Sequence, residues 1–97
     1  MKRISFTDQA SANFLEIHLF GIRSFGLHQA DRYLDSLDGC FEMLADNPRI
    51  GRKAENLRKG VRRHEHGSHV IFYAERASGI EILAVMHGRR LPKLDLE

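Results

Sequence analysis

The sequence predicts an α+β fold of element order β-α-α-β-β-β, with a helical hairpin packed on one face of a small antiparallel sheet. Three observations predict it. Ala30, Tyr33, Leu34, Leu37, Phe41 and Leu44 recur at helical spacing over more than three turns. Three strand-like runs, Val61–His66, His69–Arg76 and Gly79–His87, follow one another without a helical interruption. They are separated by Gly67-Ser68 and Ala77-Ser78-Gly79, whose glycines suit the positive φ of tight hairpin turns.

Ile4 and Phe6 alternate with Arg3, Ser5 and Thr7, as in a short first strand. Thr7-Asp8 then suits an N-cap and an acidic first turn. From Asp8 to about Ile22, Ala10, Phe14, Ile17 and Gly21 form one stripe, which Leu15, Leu19 and Ile22 widen. Such a width predicts packing on more than one neighbour. Arg23-Ser24-Phe25-Gly26 is the break of an αα-hairpin. In the second helix Cys40 flanks the apolar stripe and reads as a small core residue. Asn47-Pro48 stops that helix, because the residue before proline is pushed out of the α region. Pro48 to Gly60 has no sustained period apart from a possible helical turn at 55–57, and a connection this long in a small domain tends to be functional or mobile. Val70 to Tyr73 is apolar on both alternating faces, as in a central strand covered twice. Leu91-Pro92 ends the regular structure, and 91–97 is expected to be a loose tail.

Ninety-seven residues make one domain, 1–97, because two cores would each be too small to bury enough surface. No apolar run approaches the ~20 residues that span a bilayer, and no signal peptide is visible. A single cysteine excludes an internal disulfide and fits a reducing compartment, so the expectation is a cytoplasmic protein away from the membrane. The net charge of +2 hides a segregation. Between positions 49 and 63 seven cations face only Glu55, a local +6, so the rest of the chain carries −4. Much of the acidic remainder is Asp31, Asp35, Asp38, Glu42 and Asp46, spaced as on one helical face. A basic segment of this kind steers toward a polyanion or an acidic partner, or simply makes a solvated, internally paired surface.

Candidate chemistry is sparse. His64 and His66 project from one side of a strand and His69 lies across the turn, yet no second ligand pair stands at a familiar spacing. Exposed hairpin histidines are the favoured reading, with no metal and no cofactor. His87, beside Arg89 and Arg90 at the end of the last strand, reads first as a surface histidine and second as a general acid or base. No phosphate loop, nucleophile elbow or metalloprotease motif occurs. Arg52, Arg58, Arg62 and Arg63 have donor forks suited to phosphates or to an acidic protein surface, and residue types alone do not choose.

Five pieces in order then carry a family resemblance: Ala30–Leu34, Leu44–Arg52, Leu57–Arg63, Gly67–Tyr73 and Ile80–His87. Over about positions 4 to 90 the chain resembles the ParE branch of the RelE/ParE toxin superfamily. The resemblance implies the toxin of a type II toxin–antitoxin module. It implies a non-enzymatic inhibitor that blocks DNA gyrase, held in check by a ParD-like antitoxin. Such an antitoxin lays a helix along the hairpin and an extended piece beside the sheet. On that basis Phe14, Ile17, Leu19 and Phe20 are the expected antitoxin contacts. Arg52, Arg62, His87, Arg89 and Arg90 are the expected target contacts, with Arg62 alternatively helping to hold the loop and Arg52 alternatively anchoring the long loop to the acidic side of the second helix. The alternative is a RelE-type ribosome-dependent mRNA endonuclease, with Arg62, His87 and Arg89 catalytic. No tyrosine follows residue 73, however, and the four lysines at 2, 53, 59 and 93 do not make that branch's lysine-rich sheet. The Met-His-Gly-Arg-Arg ending also resembles ParE's Leu-His-X-Arg.

Overall fold

A computed structural model describes residues 2–89. Two helices cover one face of a five-stranded sheet. The elements are β1 (Arg3–Phe6), α1 (Asp8–Phe25), α2 (Leu27–Asp46), β2 (Arg52–Lys53), β3 (Val61–His66), β4 (His69–Arg76) and β5 (Gly79–His87). The strand order is β1-β5-β4-β3-β2.

Two features of the sheet differ from the sequence expectation. The sheet is mixed, because β1 runs parallel to β5, with Ile4 opposite Ile80 and Phe6 opposite Ile82. It also gains β2, a two-residue edge strand cut from the long connection and paired with Arg62 and Arg63. The αα break is narrower than expected. Both helices run to Gly26, which serves as the C-cap of one and the N-cap of the other.

Gly67 takes the positive φ expected of the first hairpin turn, but Gly79 does not. Gly79 answers a different demand: any Cβ there would run into the backbone of Arg3 on the parallel neighbour. Close approach of β1 requires this glycine.

β4 is the middle strand, and its two apolar faces enter two separate cores. Ile71 and Tyr73 face the helices and pack with Leu37, Phe41, Leu44, Ile80 and Ile82. Val70, Phe72 and Ala74 face the other way, under Ala54 and Leu57. The long connection therefore has a structural task, since it closes the second face of the sheet. In the β4–β5 pairing the register slips between Phe72 and Tyr73 of β4, which skips Leu83 on β5, as a bulge does. The start of α1 takes up backbone groups near this slip. Thr7 Oγ1 donates to the Leu83 carbonyl at 2.8 Å while accepting from Ala10 N, and Val85 N donates to Asn13 Oδ1 at 3.1 Å.

The stripe on α1 is narrower than the sequence suggested. Ala10 is buried and Phe14 and Ile17 pack against the helix-side core, Phe14 within an aromatic group with Phe6 and Phe41. Leu15, Leu19 and Phe20 point away, at 57%, 46% and 63% exposure. The carboxylates of α2 lie on its exposed side, where crowding by Asp35 and Glu42 adds to partial burial in raising the Asp38 carboxyl.

Candidate functional site: a clamped basic loop and a histidine row

The connection after α2 is held from beneath by two side chains. Tyr73 is fully buried in the middle strand, and its ring packs in the helix-side core. Its hydroxyl reaches the end of that core, donates to the Pro48 carbonyl at 2.8 Å and accepts from Gly51 N at 2.9 Å. Burial raises the phenol pKa, although the Gly51 hydrogen bond and the Arg62 charge oppose it. Arg62, opposite Tyr73 in the ladder, donates through Nη1 to the carbonyls of Gly51 at 2.8 Å and Arg49 at 3.3 Å. Tyr73 and Arg62 thus serve the backbone of residues 48–51, as buried or half-buried polar groups require. Arg62 holds the loop through Nη1.

The other arginines are largely paired on the surface. Arg52 does not reach α2. It pairs with Glu65 on β3 at 2.5 Å, and Arg63 joins the same carboxylate at 2.9 Å while lying over the Phe72 ring. Partial burial of Glu65 is outweighed by these hydrogen bonds and charges, which hold its carboxyl below the ordinary range. Arg49 pairs with Glu75.

A second cluster lies at the opposite end of the sheet. His66, His69 and His87 stand opposite one another on β3, β4 and β5, so they form one cross-strand row on the helix side. These are not the exposed hairpin histidines that the sequence suggested. α2 covers two of them: Tyr33 Oη lies 2.6 Å from His69 Nδ1, and Ser36 Oγ lies 2.6 Å from His66 Nε2. His69 is lowered to about 4, chiefly by desolvation and then by His87 and His66; desolvation also lowers His66, with His64 adding to the effect. His87 is exposed, stands edge-on to His69, and its Nδ1 accepts from Arg89 N at 3.1 Å. Among the described residues no cluster of His, Cys, Asp and Glu has the arrangement of a metal site.

The two clusters do not form one centre. Arg62 and His66 are four residues apart along β3, about 13 Å at the usual strand rise, and His87 lies two strands across from His66. Arg62, His87 and Arg89 are therefore not brought onto one scissile bond. Arg90 lies outside the described residues, as does the 91–97 tail. Sequence reasoning missed Tyr33 and Ser36 as partners of the histidines, and Glu65 as the shared anion. Tyr33 sat within the apolar stripe of α2, and nothing local ties it to a hairpin more than thirty residues away.

Comparison with known proteins decides the family. The family model described as "ParE toxin of type II toxin-antitoxin system, parDE" matches residues 4–92. The chain belongs to the ParE toxin family. Toxin ParE1 of Caulobacter vibrioides is 37% identical over 87 residues, covering 90% of each chain. Toxin ParE1 of Mycobacterium tuberculosis is 37% identical over 81 residues, covering 82% of this chain and 83% of the relative. A solved structure described as a chromosomal ParDE TA system from P. aeruginosa superposes with a TM-score of 0.74 at 21% identity, over 90% of this chain and 96% of that one. That likeness supports the ParE fold, and the clamp and histidine row lie on elements of it. No helix among the described residues is long and apolar enough to cross a membrane.

Proposed function

We propose that this ParE-family chain is a cytoplasmic toxin that arrests DNA gyrase by protein contact and is neutralised by a ParD-like antitoxin. The observation that carries the gyrase reading over RNA cleavage is the position of Arg62. Its guanidinium is engaged by the carbonyls of Arg49 and Gly51, and His87 lies at the far end of the sheet. General acid–base catalysis needs its groups within hydrogen-bond reach of one substrate. A protein inhibitor has no such requirement. The test pairs two assays on the purified toxin, gyrase supercoiling and ribosome-dependent cleavage of messenger RNA. Lost supercoiling with intact message is expected; cleaved message with normal supercoiling would overturn the reading.

For the antitoxin, Leu19 and Phe20 are the outward members of the expected set, joined by Leu15. Phe14 and Ile17 contribute mainly by holding α1 on the sheet. An amphipathic antitoxin helix laid along α1 would bury this face. Leu19→Ala and Phe20→Ala should each weaken antitoxin binding by about tenfold, or ~1.4 kcal/mol, with the melting temperature unchanged. Unaltered affinity in titration calorimetry would remove this face from the interface.

A further inference from the structure

We propose that Ile50, at the crest of the loop clamped by Tyr73 and Arg62, is the apolar anchor with which the toxin grips an acidic protein surface. The inference rests on the reading that the chain acts on another protein, and it names the surface used. Exposure of a lone isoleucine, 56% here, is ordinary and proves nothing. Its support is unusual. Pro48 O, Arg49 O, Gly51 N and Gly51 O are all taken by the buried phenol or the guanidinium, and Ile50 N donates to Asn47 O at 3.1 Å. A surface loop normally leaves such groups to water and keeps its conformational freedom. In this loop the ordering cost is met on folding, so a partner would meet a preformed shape.

The chemistry around Ile50 points to the partner. Asn47, Pro48, Arg49 and Ile50 line a shallow, open concavity beside the crest. Arg49 is part of its lining and Arg52 follows two positions after Ile50, each in an exposed ion pair of the kind that contributes little and exchanges readily for a partner's carboxylate. Lys53 follows, exposed and with no ion pair among the described residues. An aliphatic knob beside Arg49, with Arg52 and Lys53 next along the chain, complements an apolar socket edged with Asp or Glu. A nucleic acid fits less well, since a phosphate backbone gains nothing from the isoleucine. Tyr73 and Arg62 are positioning residues in this scheme.

The test uses the full chain and three variants, Ile50→Asp, Ile50→Ala and Lys53→Glu. They are compared for growth arrest on induction, gyrase binding, antitoxin affinity and melting temperature. Ile50→Asp should abolish growth arrest and lower target affinity at least tenfold. Ile50→Ala and Lys53→Glu should lower it severalfold, and all three should keep wild-type antitoxin affinity and melting temperature. Growth arrest by Ile50→Asp at wild-type strength would overturn the proposal. So would loss of activity in Lys53→Glu but not Ile50→Asp, together with weakened retention of labelled DNA or RNA, the pattern of a nucleic-acid surface. Wild-type growth arrest without gyrase inhibition would refute the gyrase reading alone. Loss of arrest in Ile50→Asp would still stand as support for the loop.

Discussion

Tyr73 has two jobs on one side chain: its ring fills the helix-side core and its hydroxyl holds a surface loop. Tyr73→Phe keeps the ring and strands Gly51 N and Pro48 O. Leaving such a group unpaired costs roughly 1–3 kcal/mol, so a drop of several degrees in melting temperature is expected. Faster hydrogen exchange at the Gly51 amide should accompany it. An unchanged melting curve would show that water replaces the phenol. The apolar ring was legible in the sequence, because Tyr73 stands in a doubly apolar strand. The hydroxyl's partners were not, since they lie more than twenty residues earlier in a stretch without periodicity. For Arg62 the Gly-X-Arg motif left loop-holding and target contact both open, and its Nη1 is found on the loop backbone.

At the scale of the element, the β3–β4 hairpin and α2 are joined through the histidine row. The packed His69 favours the neutral imidazole, titrating near 4 in the folded chain against an ordinary 6.5. The unfolded chain therefore binds the extra proton first as pH falls. The contribution of this residue is present in full above about pH 6.5 and is lost as pH falls toward 4. His66, lowered in the same direction, adds to the slope, and His64, His87 and Tyr33 are the other titratable groups beside His66 and His69. Denaturant melts at a series of pH values should show stability falling across that window. His69→Gln should flatten the dependence, and a slope as steep as wild type would exclude His69 as its origin. The expected β3–β4 hairpin was legible from Gly67-Ser68 and the flanking alternation. Its cover was not, because Tyr33 and Ser36 belong to a helix whose pattern carries no record of what lies beneath it.

At the scale of the whole molecule, β1 closes the fold by pairing in parallel with β5, the last strand. Parallel neighbours cannot be joined by a tight turn, and here everything from α1 to β4 intervenes. Gly79 is the contact point of that closure. Gly79→Ala should push β1 off the sheet at a cost of about 2–4 kcal/mol, in the range of other changes that strain a packed backbone. The expected sign is a lower melting temperature with early hydrogen exchange at Arg3–Phe6. Normal protection of that strand would show that the edge can shift to admit a methyl group.

Local pattern sufficed for the α+β class, the two helices, the three-strand meander and the central place of β4. Helical and strand periods are written into neighbouring residues, and the buried face of each element must be apolar wherever it ends up. Family membership was legible for a related reason, since the matching motifs occur in order along the chain. Tertiary structure alone decided the parallel seat of β1, the turning of Arg62 into the loop, the pairing of Arg52 with Glu65, and the separation of Arg62 from His87. Each depends on which distant segments meet, and hydrogen-bond partners and charge pairs are chosen by that proximity rather than by residue type.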